Sequence, residues 1–192
     1  MAHTLKSLFA KHPDNAPAIG APGRDWMTYG ELKSLSQDVR KILRSSGIGA
    51  TERVAIVLPN GPEMAAAFVT VAQSATTAPL NPAYKEEEFA FYLEDLKARA
   101  IILEAGYQGP ARSAAQRFDM SVIELHPAAK AGQFTLTTET IGAAEDCEPQ
   151  ADDIALILHT SGTTSRPKIV PLLQSNIAAS AQNIQKSLAL TP

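Results

Sequence analysis

Cysteine is all but missing from this 192-residue chain: Cys147 stands alone. A single thiol excludes an internal disulfide framework and makes the reducing cytoplasm the default compartment. Its neighbours Glu145, Asp146 and Glu148 oppose thiolate formation, so a nucleophilic role is not expected of it. Long apolar runs are missing too. The longest, around Met64 to Ala72, is interrupted by Thr70 and falls far short of a membrane span. The first residues, Met1 to Lys11, lack the apolar centre of a signal peptide. Nor is there a strong excess of one charge. At a formal −3 the chain has no electrostatic reason to seek nucleic acid or an anionic membrane surface. Its partners are therefore expected to be small molecules.

What is present is a globular composition, 45% hydrophobic, in a length that can bury one substantial core. Leu5, Leu8 and Phe9 have helical spacing, and two short extended candidates, Ala18-Ile19 and Trp26-Met27, flank a Pro22-Gly23 turn. Thr28 and Glu31 have the spacing of a capping box. They predict a helix to about Ser46, with Leu32, Leu35, Val39, Ile42 and Leu43 on one face. Buried-type strands are predicted at 53–58, 77–80, 100–103 and 121–125, and helices at 63–73, 85–97 and 112–118. This alternation predicts an α/β fold, a mostly parallel sheet flanked by helices. Residues 127–150 lose clear periodicity and read as a loose connection. A last helical stripe runs through Ile177, Ala181, Ile184 and Leu188.

The rest is organised around the stretch from Ile154 to Pro171. A short apolar run, Ile154 to Leu158, reads as a buried strand, and Ile169, Val170 and Pro171 as a second extended piece. Between them lie Thr160, Ser161, Gly162, Thr163, Thr164 and Ser165, five hydroxyl residues and one glycine, followed by Arg166, Pro167 and Lys168. Small hydroxyl residues and a glycine let the backbone approach an anion and offer it donors, and a lysine just beyond adds a point charge. That chemistry suits a polyphosphate. The order differs from the P-loop of GTPases and ATPases, which has a second glycine before the lysine and opens a helix.

The run His159-Thr-Ser-Gly-Thr-Thr-Ser-Arg-Pro-Lys168 resembles the signature loop of the adenylate-forming superfamily, which includes acyl-CoA synthetases and the adenylation domains of peptide synthetases. Residues 54–84, with their strand, Pro-Asn-Gly turn, Ala-rich helix and Pro-Leu-Asn-Pro, resemble the early part of such a protein as well. The resemblance implies the N-terminal part of an AMP-binding domain over residues 1–192, with the phosphate loop at 159–168. It implies that Thr160, Ser161, Gly162, Thr163 and Thr164 hold the β- and γ-phosphates of ATP, and that Lys168 offsets their charge beside Mg²⁺ as the catalytic residue. The reaction it implies joins a small carboxylic acid to coenzyme A through an acyl-adenylate. The Ser165-Arg166 pair is similar to the oxalate–CoA ligase branch.

One departure stands out: the family has glycine after the lysine, where this chain has Ile169. If that position needs positive φ, a β-branched residue there costs about 1–2 kcal/mol; if it is ordinary strand, isoleucine is harmless. No match to the family's adenine-binding, ribose-binding, hinge or C-terminal lysine motifs is found, so residues 1–192 alone are expected not to form acyl-adenylate. A truncated scaffold or interaction module, an adenylation domain loading a carrier protein, and an unrelated phosphate-binding protein stand as alternatives.

Other clusters read as structure. Glu86, Glu87 and Glu88 point in different directions on a helix and suit a solvated first turn. His3, His12 and His126 have no metal-ligand companions at useful spacing. Trp26, Tyr29 and Tyr84 are expected to anchor helices on a core. Residues 20–23 follow no strand of the dinucleotide-binding kind, which argues against a nicotinamide site. His159 stands where strand becomes loop, and either lines the ligand site or is a hydrogen-bonded packing residue, the latter reading being preferred.

Overall fold

A computed structural model describes residues 3–160 and 167–190. After helix α1 (Leu5–Phe9), strands β1 (Pro17–Ala21) and β2 (Arg24–Thr28) form an antiparallel hairpin. Gly23 supplies the left-handed turn residue, at φ +73°. Then follow α2 (Tyr29–Ser45), β3 (Arg53–Val57), α3 (Pro62–Ala72), β4 (Thr76–Pro79), α4 (Glu86–Leu96), β5 (Ala100–Glu104), α5 (Pro110–Arg117), β6 (Ser121–Pro127), β7 (Phe134–Thr138), β8 (Ile154–Thr160), β9 (Lys168–Leu173) and α6 (Gln174–Ser187).

The main sheet has the order β7-β6-β5-β3-β4-β8-β9. The run from β6 to β8 is parallel, and β7 and β9 are antiparallel strands at the two edges. The expected mostly parallel α/β sheet is present. Parallel strands bury both faces, which is why β3 and β5 read as continuous apolar runs. Val54 and Ile56 join Ala100 and Ile102 in a core with α2 and α3, while Ala55 and Val57 join Ile101 and Leu103 in a second core with α4 and α5. The period-2 alternation of strand side chains thus assigns the helices to opposite faces.

Local signals place the helices. At the start of α2 the Thr28 hydroxyl accepts from the Glu31 N–H (3.3 Å) and the Glu31 carboxylate accepts from the Thr28 N–H (2.9 Å). The capping box is therefore complete, and Leu32, Leu35, Val39 and Leu43 are buried behind it. Pro62 takes the first turn of α3, whose small Ala66 and Ala67 let the helix approach the sheet closely. On α4, Phe89, Leu93 and Leu96 are buried as their spacing predicts.

Three expectations require correction. The supposed loose connection contains β7, which pairs antiparallel with β6 and buries Phe134 and Leu136. Its Phe-Thr-Leu-Thr alternation is a period-2 signal carried by only two apolar residues. The following residues, 139–150, hold no regular element but are pinned across α2. Arg40 Nε donates to Asp146 (2.6 Å) and the Gly142 N–H to the Ser45 carbonyl (2.8 Å). Trp26 anchors no helix. It is 59% exposed, its ring lying against the backbone of Gly20. Finally, the stripe of α6 is buried only near its start, where Ile177 and Ala178 pack; Ile184 and Leu188 are exposed.

Candidate nucleotide-binding hairpin

Strand β8 reaches the sheet by an unusual route. Its ladder with β4 has a single registered pair, Thr77 with Leu156. Two threonine hydroxyls supplement it: Thr76 Oγ1 donates to the Ile154 carbonyl (2.7 Å) and Thr77 Oγ1 to that of Ala155 (2.9 Å). Beyond this attachment β8 pairs antiparallel with β9, and Thr160 and Lys168 are direct register partners. Both are exposed. The two extended pieces expected of this stretch are therefore present as an antiparallel pair, β8 ending at Thr160 and β9 beginning at Lys168. Ser161, Gly162, Thr163, Thr164, Ser165 and Arg166 lie outside the described residues.

The hairpin projects from the carboxyl ends of the parallel strands. Strand β4 lies on one side of β3 and β5 on the other, and their connecting helices leave on opposite faces. Open α/β sheets bind ligands outside the carboxyl ends at such a reversal of strand order. The question raised by Ile169 is answered by its geometry. It sits in β9 opposite His159, is absent from the residues with positive φ, and packs against the second core. Isoleucine in ordinary strand carries no backbone strain there.

His159 is a packing residue with a polar contact. Its ring is 6% exposed, with Nε2 3.1 Å from Asp95 Oδ2 and an edge on Tyr92 at 4.6 Å between centroids. Tyr92 stacks in turn on Tyr84 (4.8 Å), which meets Phe89 edge-on (5.7 Å). Tyr84 does anchor α4 on the core, and the Tyr92 hydrogen bond, with burial, pushes its phenol up to about 12. Asp95 and Tyr92 escaped the sequence reading. The only signal was their three-residue spacing, which puts them on one helix face. His12, His126 and Glu87 sit in local structure. His12 stacks on Tyr29 (4.1 Å), His126 Nε2 meets Thr137 Oγ1 (2.8 Å), and Arg117 pairs with Glu87 (2.7 Å). Among the described residues no group of three His, Cys, Asp or Glu is placed to hold a metal ion, and no helix is long and apolar enough to cross a membrane.

The family described as "AMP-binding enzyme" matches residues 6–192. The chain belongs to that family. An oxalate–CoA ligase of Arabidopsis thaliana is 34% identical over 193 aligned residues, covering 97% of this chain and 37% of that enzyme. An oxalate–CoA ligase of Saccharomyces cerevisiae is 36% identical over 169, covering 73% and 31%. The AMP-binding chain thus spans about a third of the length of these relatives. In fold it is similar to apo MatB from Rhodopseudomonas palustris, with a TM-score of 0.81 at 24% identity, over 100% of this chain and 39% of that one.

Proposed function

We propose that this chain is the N-terminal part of the AMP-binding domain of an ATP-dependent acid–CoA ligase, and that the turn of the β8–β9 hairpin holds the β- and γ-phosphates of ATP. The observation that carries the reading is the pairing of Thr160 with Lys168 at the open end of the hairpin, on the carboxyl side of the parallel sheet. Thr160 offers a hydroxyl donor and Lys168 an ammonium, with Ser161, Gly162, Thr163 and Thr164 between them in sequence. In the proposed reaction a carboxylate oxygen attacks the α-phosphorus and the bond to pyrophosphate breaks, leaving an acyl-adenylate. The thiol of coenzyme A then displaces AMP. Attack of one anion on another depends on orientation and on charge neutralisation, which is the role assigned to Lys168.

Magnesium fits as a companion of the nucleotide. It is held by one or two protein oxygens plus substrate phosphates more often than by a protein cage, and the described residues contain no such cage. When bound it would neutralise phosphate charge, with the Thr160 hydroxyl the described oxygen placed nearest in sequence to the turn. Oxalate is the first acid to test, since relatives at 34% and 36% identity bear that name and the Ser165-Arg166 pair resembles that branch. With its lone Cys147 exposed, the protein suits a reducing cytoplasm.

Titration of Mg–ATP against wild type and Lys168→Ala tests the assignment. Removing the ammonium is expected to weaken binding about tenfold, or roughly 1.4 kcal/mol. Equal affinities, or no binding to wild type, would overturn it. The 192-residue chain by itself is expected to bind nucleotide without supporting ATP–pyrophosphate exchange; turnover in that assay would refute the second half of the statement.

A further inference from the structure

His159 is the last largely buried side chain before the turn, and its surroundings fix more than its own position. Successive strand residues face opposite sides of a sheet, while register partners in an antiparallel pair share a side. Ile157 and Ile169 pack in the core formed with α4, and His159, opposite Ile169, faces the same helix. Thr160 and its partner Lys168 therefore face the other side. A slip of one residue would exchange these faces and turn the threonine and lysine toward α4. Hydrophobicity alone guards weakly against that slip, because Leu158 on the opposite face is as apolar as Ile157 and is 40% exposed. The specific contact is polar: Asp95, in the last turn of α4, meets His159 Nε2 at 3.1 Å. A carboxylate only accepts, so Nε2 carries the proton.

We infer that Asp95 is a positioning residue for the nucleotide turn: by accepting a hydrogen bond from His159 it locks the β8–β9 hairpin in the register that holds Thr160 and Lys168 on the face away from α4. Tyr92 supports the ring from the side, and the aspartate sets its rotation and depth. The inference deepens the proposed function and rests on it only for the nucleotide-binding readout. The register itself is a property of the hairpin.

The test compares Asp95→Ala, Asp95→Asn and His159→Phe with wild type, by hydrogen–deuterium exchange of peptides covering β8 and β9 and by Mg–ATP titration. Asp95 is partly exposed at a helix end, so its truncation is compatible with folding. Asp95→Ala is expected to speed exchange in β8–β9 about tenfold while leaving β5 unchanged, and to weaken Mg–ATP about tenfold, the size of one charge-assisted hydrogen bond. Asp95→Asn keeps an acceptor and should stay within about threefold of wild type in both readouts. His159→Phe should reproduce Asp95→Ala, and the double variant should be no worse than either single one, since both remove the same bond. Unchanged β8–β9 exchange in Asp95→Ala, additive effects in the double variant, or equal loss of protection in β5 would each overturn the inference. Wild type that binds no Mg–ATP would remove the proposed function, while the exchange arm would still decide the role of Asp95.

Discussion

Replacing Thr77 by valine removes one hydroxyl and keeps the shape of the side chain. Thr77 is fully buried, and its Oγ1 donates at 2.9 Å to the carbonyl of Ala155, on the strand that carries the hairpin. The ladder between β4 and β8 contributes a single registered pair, so this hydroxyl is a large share of what joins the two strands. A buried hydrogen bond contributes about 1 kcal/mol net, and stranding its acceptor adds part of a desolvation penalty; the expected loss is about 1–2 kcal/mol. For a chain of this size each kcal/mol moves the midpoint of thermal unfolding by about 2–4 °C. Thr70 supplies the control. It is equally buried, but its hydroxyl donates to the Ala66 carbonyl within α3 (2.7 Å), an acceptor positioned for the helix's own i−4 hydrogen bond. Thr70→Val should cost less than about 0.5 kcal/mol, because its acceptor keeps the helical partner. Urea or thermal unfolding of the two variants decides the matter. Equal stability of Thr77→Val and wild type, or equal cost of the two substitutions, would refute the view that side-chain hydroxyls hold β8 to the sheet.

Two further outcomes follow from the buried and paired charges. Arg44 donates to the carbonyls of Ile48 (2.7 Å), Ser74 (2.8 Å) and Cys147 (2.8 Å), and burial pushes its guanidinium down from its ordinary value. A lysine cannot reproduce that planar fork, so Arg44→Lys should lose about 2 kcal/mol or more in urea unfolding; a loss under about 0.5 kcal/mol would contradict the clamp. The Lys130 ammonium and the Thr28 N–H hold the Glu31 carboxyl below its ordinary 4.5, and the Lys6 and Arg40 hydrogen bonds do the same for Glu148. At Glu63 burial opposes the shift, but Arg24 and the Gly132 N–H outweigh it. A lowered carboxylate contributes stability that is present above about pH 4.5 and lost as pH falls through its folded value. Unfolding measured against pH should therefore show stability dropping below about pH 4.5, with a shallower drop in Glu31→Gln; an unchanged slope in that variant would remove Glu31 from the account.

How much could be read without coordinates differed by element. Helices α2 and α4 were legible because their apolar stripes, and the Thr28–Glu31 cap of α2, lie within a few residues of sequence. Strands β3 and β5 were legible because a strand buried on both faces has to be apolar throughout. Strand β7 was hidden, since half of it faces solvent and its Thr residues mask the alternation. Trp26 misled because a large aromatic ring suggests a core, yet this one lies over a glycine at the surface.

The capping box of α2, the buried strands, the family and the order of residues in the candidate phosphate loop were legible in the chain alone, because each depends on neighbours close along it. Folding was needed to show that Thr160 and Lys168 are register partners, that Ile169 is unstrained strand, and that Asp95 meets His159 across 64 residues. Strand order and register are set by contacts between distant segments, and the side chains that make those contacts carry no mark of their partners until the chain has folded.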